Sequence, residues 1–217
     1  MIDEQKGKNI VWHETSIAPW EYQTLHGHKG VTLWFTGLPC SGKSTLANTV
    51  ARELMDNKIH TVVLDGDNIR HGLNRNLGFS EADRTENIRR IAEVAKLFTR
   101  VAIVNLAAFV SPYRADRNAA RAMQPETFIE VYCKAPLEVC EKRDTKGLYK
   151  MARAGEIKQF TGIDAPYEPP ENPEIVLDTS RATVADCSNK IVGYLIERGV
   201  ANVEKRFRER WEPAYTD

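Results

Sequence analysis

Long apolar segments, clustered cysteines and an excess of charge of either sign are all missing from this sequence of 217 residues. No apolar run approaches the roughly 18 residues that cross a bilayer, so we expect no membrane span. The polar first residues lack the apolar core of a secretory signal, which favours a cytoplasmic protein. Thirty Lys and Arg balance thirty Asp and Glu, which argues against a broad basic face for nucleic acid or an anionic membrane.

Cysteine and histidine are too sparse to predict a metal or disulfide framework. The cysteines are scattered and form no C-x-x-C pair, so we expect them to be small buried apolar residues; they are Cys40, Cys133, Cys140 and Cys187. His26 and His28 are two residues apart and could share one face of a strand. Because no third ligand accompanies them in the sequence, we expect both in a solvated loop.

Short apolar runs alternate along the chain with amphipathic segments, and the length suits one domain. The predicted strands cover residues 31–35, 60–64, 101–107, 128–133 and 174–177. The predicted helices lie around residues 46–54, from 80 to 98, over 114–123 and over 183–197. This alternation predicts an α/β fold, a mostly parallel sheet with helices on both faces, whose functional loops follow the carboxyl ends of the strands. Glycines, basic residues and four prolines at 144–173 predict a mobile loop.

Residues 37–44 read GLPCSGKS and fit the pattern G-x-x-x-x-G-K-[ST] between a predicted strand and a predicted helix. Glycines let successive backbone N–H groups surround phosphate oxygens, and the following helix N-terminus adds partial positive charge. We expect Lys43 to reach the β- and γ-phosphates of ATP and the Ser44 hydroxyl to ligate Mg²⁺. The motif therefore predicts a nucleoside-triphosphate site. Cys40 within it is either a space-filling loop residue or a redox-sensitive thiol.

Two carboxylates follow the second predicted strand, at the sheet edge where the phosphate-binding loop is expected. Asp65 and Asp67 are placed to orient an acceptor hydroxyl, accept its proton or hold metal-bound water. Arg70, three residues further on, suits an anionic group of a substrate. An Asp-Gly-Asp turn without a catalytic role is the alternative, and only its position in the fold argues against that.

The next predicted helix begins with a second polar cluster. Arg84 and Asn87 are three residues apart and share a helix face, either as ligands or as a solvated helix start. Phe79 just before them is placed to stack on a planar base or to act as a hydrophobic staple that fixes the entry of the helix.

Four stretches together carry a family resemblance: GLPCSGKST, LDGDNIRHGLNRNLGFSEADRTENIRRIAEVAKLF, FVSPYRADR and KGLYKMARAGEIKQFTGIDAPYEPP. From about residue 9 to about residue 200 the chain resembles adenylyl-sulfate kinases. The resemblance implies a P-loop NTPase-type kinase with a mobile lid, which transfers the γ-phosphate of ATP, with Mg²⁺, to the 3′-hydroxyl of adenosine 5′-phosphosulfate in sulfate activation. At Pro39 and Cys40 the loop departs from the small residues usual in that family.

The resemblance also implies a role for each matching residue. The ATP phosphates would be held by Gly37, Leu38, Pro39, Cys40, Ser41, Gly42, Lys43, Ser44 and Thr45. Asp67 would deprotonate the acceptor hydroxyl with support from Asp65, while the phosphosulfate and ribose would contact Arg70, Arg84 and Asn87. The adenine would lie between Phe79 and Phe160, and the lid would bring positive charge from Arg143, Lys146 and Lys158.

Ser111 matches the serine that bacterial members are described as phosphorylating. It either forms a phosphoserine intermediate or only contacts substrate during direct transfer.

The resemblance further implies a homodimer and allows association with ATP sulfurylase. It divides the chain into an N-terminal extension at residues 1–29, a kinase domain at 30–200 with its lid at about 144–167, and a tail at 201–217. Two alternatives remain: a P-loop kinase for another small acceptor, such as a nucleoside monophosphate or a sugar acid, and a non-catalytic nucleotide-binding module.

Overall fold

A computed structural model describes residues 10–11 and 13–200 of the chain. Its strands are β1 (Thr32–Thr36), β2 (Thr61–Asp65), β3 (Val104–Ala108), β4 (Phe128–Lys134) and β5 (Ile175–Asp178). Its helices are α1 (Pro19–His26), α2 (Lys43–Asp56), α3 (Gly66–His71), α4 (Glu81–Arg100), α5 (Arg114–Ala122), α6 (Leu137–Arg143), α7 (Leu148–Arg153) and α8 (Val184–Glu197). The predicted tail, residues 201–217, lies outside the described residues.

The strands form one sheet in the order β2-β3-β1-β4-β5, and every neighbouring pair is parallel. Helices cover both faces, which confirms the predicted α/β class. The central strand β1 runs between β3 and β4, so the loop that follows it opens in the middle of the carboxyl edge. In such sheets that edge is where ligands bind.

Successive residues of β1 face opposite sides of the sheet, as the two-residue period of a strand requires. Leu33 and Phe35 pack in a core with the apolar faces of α2 and α8, whereas Trp34 packs in a second core with α4 and α5. All three side chains are fully buried. Burial of each stabilises the fold by about 1.5–3 kcal/mol, so both helical layers are anchored through this strand.

Helix α4 begins directly after its capping residue, Ser80. The Ser80 hydroxyl oxygen accepts a hydrogen bond from the Asp83 amide at 3.2 Å. Further along, Ile88, Ile91 and Ala95 form one buried face of the helix. This helix carries Arg84 and Asn87 on its first turns, at the carboxyl edge of the sheet.

Helix α4 also explains one error in the predicted strands. The third strand begins at Val104 rather than at residue 101, because α4 continues to Arg100 and the chain then turns through Ala102 at φ +58°. The Ile103 amide donates to the Phe98 carbonyl oxygen and closes this turn. Apolar character alone does not separate a buried turn from a strand.

The segment predicted as a mobile loop is more ordered than expected. It contains α7, and Tyr149 on that helix is 2% exposed. The Tyr149 hydroxyl donates to the Pro39 carbonyl oxygen at 3.0 Å, so the predicted lid packs directly on the phosphate-binding loop. Within the part of the chain that the structure describes, no helix is long and apolar enough to cross a membrane.

The expectation of a solvated loop is wrong for both neighbouring histidines, because His26 is the half-buried last residue of α1 and His28 is 6% exposed. A third histidine, His60, approaches them from the residue before β2. Three of the cysteines are buried as predicted, namely Cys133, Cys140 and Cys187, whereas Cys40 is half-buried.

Candidate active site

The phosphate-binding loop follows β1 and takes a shape that its glycines permit. Gly37 has φ +151°, and a Cβ atom there would lie 2.5 Å from the Cys133 carbonyl oxygen. Gly42 has φ +96° at the start of α2. Both the positive φ and the close approach at Gly37 exclude larger residues, which is the physical reason for glycine at that position.

Lys43 folds back over this loop. Its ammonium group donates to the carbonyl oxygens of Gly37, at 3.0 Å, and Leu38, at 2.7 Å. The side chain is buried, and burial lowers its pKa. Bound phosphate would supply the negative charge that favours the ammonium form, so the lysine is suited to an anionic ligand.

Ser44 and Asp65 join the loop to the end of β2. The Ser44 hydroxyl donates to Asp65 Oδ2 at 2.6 Å. The other carboxylate oxygen of Asp65 accepts from the Asp67 amide at 3.0 Å and caps α3. A hydroxyl and a carboxylate at this separation are the hard oxygen donors that Mg²⁺ prefers, so these residues fit a magnesium site beside the phosphates.

Asp67 is exposed to the cavity and forms an ion pair with Lys146. The hydrogen bond to this carboxylate raises the pKa of Lys146. Lys146 lies between α6 and α7, so the segment predicted as a lid reaches the proposed general base. This contact brings a positive charge close to the carboxylate that the sequence singles out.

A cavity of about 980 Å³ opens at the carboxyl edge of the sheet. The predicted site residues that line it are Pro39, Cys40, Gly42, Lys43, Ser44, Thr45, Asp65, Asp67, Arg70, Phe79, Arg84, Asn87, Ser111, Arg143, Lys146 and Phe160. Four predicted residues lie outside its lining, namely Gly37, Leu38, Ser41 and Lys158. One continuous space therefore contains both predicted halves of the site.

Arg84 connects the segments that carry the two predicted adenine-binding aromatics. Its Nε donates to the Phe79 carbonyl oxygen at 2.8 Å, and its Nη1 donates to Thr161 Oγ1 at 2.7 Å. A further hydrogen bond reaches the Gln159 carbonyl oxygen. In this structure Arg84 therefore holds the residues on either side of Phe160 next to Phe79.

The aromatic and amide residues of the acceptor half differ in exposure. Phe79 is 62% exposed, and the Arg70 guanidinium lies 4.4 Å from its ring centroid. Phe160 is half-buried and packs edge-to-face on Tyr149 at 5.0 Å. Asn87 is buried, and its side-chain oxygen accepts from Asn74 at 2.9 Å. An exposed ring on one wall and a supported ring on the other leave two apolar surfaces for a planar ligand.

Ser111 is almost fully buried. It is 2% exposed and has φ +39°. Its hydroxyl accepts a hydrogen bond from Trp34 Nε1 at 3.1 Å, and its carbonyl oxygen accepts from Arg117 Nη1 at 2.6 Å. Both the side chain and the backbone carbonyl of Ser111 are thus held by hydrogen bonds from buried residues.

The prediction missed cavity-lining residues that follow β5. Thr179, Thr183 and Val184 line the cavity. The Thr179 hydroxyl donates to the Ser41 carbonyl oxygen at 2.8 Å and supports the loop, and its own carbonyl oxygen accepts from Arg143. Thr179 directly follows a strand, so the rule that functional loops follow strand ends was the available signal.

Sequence comparison identifies the family. The profile described as adenylylsulphate kinase matches residues 29–178, more than half of the chain. The chain belongs to the adenylyl-sulfate kinase family. An adenylyl-sulfate kinase of Acaryochloris marina is 55% identical over 196 residues, which cover 90% of this chain and 96% of that protein.

Solved adenylyl-sulfate kinases share the fold. The Mycobacterium tuberculosis APS kinase, solved in complex with AMPPNP and APS, is 46% identical with a TM-score of 0.75 and aligns over 78% of this chain and 99% of that one. A hexameric APS kinase from Thiobacillus denitrificans is 32% identical with a TM-score of 0.62. It aligns over 82% of this chain and 31% of that one.

Proposed function

We propose that this member of the adenylyl-sulfate kinase family transfers the γ-phosphate of ATP to the 3′-hydroxyl of adenosine 5′-phosphosulfate, which gives 3′-phosphoadenosine 5′-phosphosulfate and ADP. The observation that carries the proposal is the single cavity that holds Lys43 and Ser44 on one side and Asp67 and Arg70 on the other. The complex of the Mycobacterium tuberculosis relative with AMPPNP and APS supports both ligands.

The ATP half uses the loop at residues 37–45. Its backbone N–H groups and the N-terminus of α2 surround the phosphates, and Lys43 turns its ammonium from the loop carbonyls to the β- and γ-phosphates. Ser44 would hold Mg²⁺ together with Asp65 acting directly or through water. When bound, Mg²⁺ neutralises charge on the phosphate oxygens.

On the acceptor side we assign Asp67 as the general base. Its carboxylate orients the 3′-hydroxyl and takes the proton as the oxygen attacks the γ-phosphorus and the bond to the β–γ bridging oxygen breaks. Lys146, paired with Asp67 in this structure, is freed when the acceptor arrives and lies next to the transferring phosphoryl group. The contact of the predicted lid with Asp67 and the neutralisation of charge on the phosphoryl group thus depend on the same lysine.

Recognition of the acceptor is assigned to the opposite wall. Phe79 and Phe160 stack on the adenine, while Arg70 and Asn87 bind the phosphosulfate and ribose. Arg84 contributes by tying the two aromatic segments together as well as by its charge.

For Ser111 we propose a positioning role in direct transfer rather than a phosphoserine intermediate. Its hydroxyl is buried and already accepts a hydrogen bond from Trp34, so it is not presented as a nucleophile. A single in-line transfer also needs no second phosphoryl step.

We further propose the domain division given by the resemblance: an N-terminal extension at residues 1–29, a kinase domain at 30–200 with its lid at about 144–167, and a tail at 201–217. A cytoplasmic homodimer with association to ATP sulfurylase is proposed on the same ground. The relative described as hexameric supports self-association within the family.

The test is ADP release from Mg·ATP with and without adenosine 5′-phosphosulfate, with AMP and gluconate as control acceptors. We expect release stimulated by the phosphosulfate alone and a 3′-phosphorylated product. ATP binding without stimulation would indicate the non-catalytic module, whereas stimulation by a control acceptor would keep the fold and overturn the substrate.

A further inference from the structure

Three histidines meet at the amino ends of the strands, on the edge of the sheet opposite the nucleotide cavity. His26 ends α1, and Gly27 with φ +71° reverses the chain so that His28 returns beside it. His60 immediately precedes β2. The segment between α1 and β1 therefore contacts the residue before β2 through histidine side chains.

The three rings face one another closely. Their centroids are 4.5 Å apart for His26 and His60, 5.6 Å for His26 and His28, and 6.0 Å for His28 and His60. One ring nitrogen from each residue lies within 4.8 Å of the others. Tetrahedral zinc requires its ligand nitrogens to lie about 3.4 Å from one another, so modest rotations of the rings bring the three nitrogens to this separation.

Two details of hydrogen bonding place acceptor lone pairs on ring nitrogens of this cluster. His26 Nδ1 is buried and has no hydrogen-bond partner among the described residues. His28 Nδ1 lies 3.2 Å from the Lys29 carbonyl oxygen, which makes it the donor and leaves a lone pair on Nε2. An outward N–H bonded to a backbone carbonyl is the usual support of a metal-bound histidine.

We propose that His26, His28 and His60 form a binding site for one divalent transition-metal ion, with zinc as the favoured ion and water as the fourth ligand. Neutral imidazoles without a carboxylate suit zinc, cobalt, nickel or copper and not Mg²⁺ or Ca²⁺, which take oxygen ligands. The site is thus chemically distinct from the proposed magnesium site at Ser44.

Metal binding has to compete with one existing contact. His28 Nε2 accepts a hydrogen bond from the His60 amide at 3.0 Å. A coordinate bond to zinc replaces this neutral hydrogen bond, and structural zinc sites bind far more strongly than one such bond contributes. The His60 amide then gives up this acceptor, at a contact that is only partly buried.

Metal binding at this site would stabilise the position of helix α1. Helix α1 buries none of its residues, and Trp20 and Leu25 on it are 65% and 78% exposed. A metal ion held by His26, His28 and His60 would link this helix to the sheet. We therefore expect it to raise the melting temperature and to slow chymotrypsin cleavage after Trp20 and Tyr22.

The experiment uses the untagged full chain, freed of metal by chelation, with millimolar Mg²⁺ present throughout. Zinc is titrated by calorimetry, and cobalt is followed by the visible absorption of its tetrahedral complex. We expect one ion per chain, cobalt displaced by zinc, and at least a tenfold slower cleavage of α1. X-ray absorption of the zinc-loaded protein should show nitrogen and oxygen ligands without sulfur.

His26→Gln and His60→Gln test the ligands, because His28 carries two hydrogen bonds that the fold uses. Each should weaken zinc binding by about 100-fold or more. His13→Gln, an exposed histidine outside the cluster, and Cys40→Ser should bind as the parent does. Failure to bind one equivalent, sulfur in the absorption spectrum, or unchanged affinity in both ligand variants would overturn the site. If a ligand variant does not fold, the X-ray absorption spectrum of the zinc-loaded parent protein decides whether the site exists.

Discussion

Trp34 Nε1 donates a hydrogen bond to Ser111 Oγ at 3.1 Å and thereby links the central strand to the loop after β3. The Trp34 ring is fully buried and stacks on Phe109 and Phe128, with centroids 6.0 and 5.5 Å away. Ser111 has φ +39°, a conformation that costs on the order of 1–3 kcal/mol unless its surroundings hold it. The Ser111 hydroxyl therefore helps to hold the loop that forms the floor of the cavity.

Ser111→Ala should retain turnover within about tenfold of the parent. The variant leaves the Trp34 N–H without its acceptor, so we expect it to lose about 1–3 kcal/mol of stability. Steady-state kinetics and urea unfolding measure the two effects, and Trp34→Phe is the matched variant that removes the donor instead. Mass spectrometry of the parent protein after incubation with ATP should show no phosphate on Ser111. Abolished turnover together with a phosphorylated Ser111 would establish the covalent route.

Asp67→Asn should lower kcat by about 10²–10⁴-fold, the usual contribution of a positioned general base. The affinity for ATP should change little, because the assigned role concerns the acceptor hydroxyl. Turnover and nucleotide binding are measured separately, with Asp56→Asn as an exposed carboxylate control. Equal loss of turnover and of ATP affinity would indicate a purely structural aspartate.

Lys43→Met should lower kcat by about 10²–10³-fold through the loss of charge at the transferring phosphate. The methionine keeps most of the buried stem, and burial already disfavours the charged lysine, so we expect a folded protein. Melting temperature with and without Mg·ATP checks this, since the variant should gain less from the nucleotide. Lys96→Ala, an exposed lysine on α4, serves as the control. Parent-like turnover would remove Lys43 from the site.

Arg117→Met should destabilise the fold by about 3–5 kcal/mol, because Glu130 stays charged and buried with only its longer contact to Arg121, at 3.4 Å. The Arg117 and Glu130 side chains are 1% and 8% exposed and lie 2.8 Å apart. Arg117 also donates to the carbonyl oxygens of Ser111 and Glu168. Denaturant unfolding measures the loss. The double variant with Glu130→Gln should recover part of it, and strictly additive losses would contradict the coupling.

The half of the cavity that we assign to the nucleotide could be predicted because its sequence signals are local. Gly37, Lys43 and Ser44 lie within eight residues, and their geometry follows from the loop between β1 and α2. The acceptor half needed the position of Asp67 at a strand end, together with the family resemblance. In both cases the parallel sheet brings loops from different parts of the chain to the same carboxyl edge.

The features that were missed depend on contacts between distant segments. His28 and His60 meet because β1 and β2 both start at the same edge, a relation that their spacing of 32 residues does not reveal. Helix α7 is held by the contact of Tyr149 with Pro39, 110 residues away. Composition described the lid as glycine- and proline-rich, but tertiary packing determines its helix.

Glu86→Gln should destabilise the protein modestly and in a pH-dependent way. On α4 the Glu86 carboxylate accepts hydrogen bonds from Arg89 and Arg90, which lower its pKa from 4.5 to about 2. The folded state thus binds this proton less readily than the unfolded chain does, so the stabilisation is complete above pH 4.5 and is lost as the pH falls toward 2.

The carboxylate is 34% exposed, and helix ion pairs contribute about 0.3–0.5 kcal/mol each, so we expect a loss of about 0.5–1 kcal/mol near neutral pH. Urea unfolding of parent and variant across the acidic range measures the difference. Glu126→Gln, at an exposed position before β4, is the control. Both arginines stay charged throughout, so the difference in stability between parent and variant should vanish when Glu86 alone is protonated. A difference that persists at the lowest pH would mean that Glu86 stabilises α4 by packing rather than by charge.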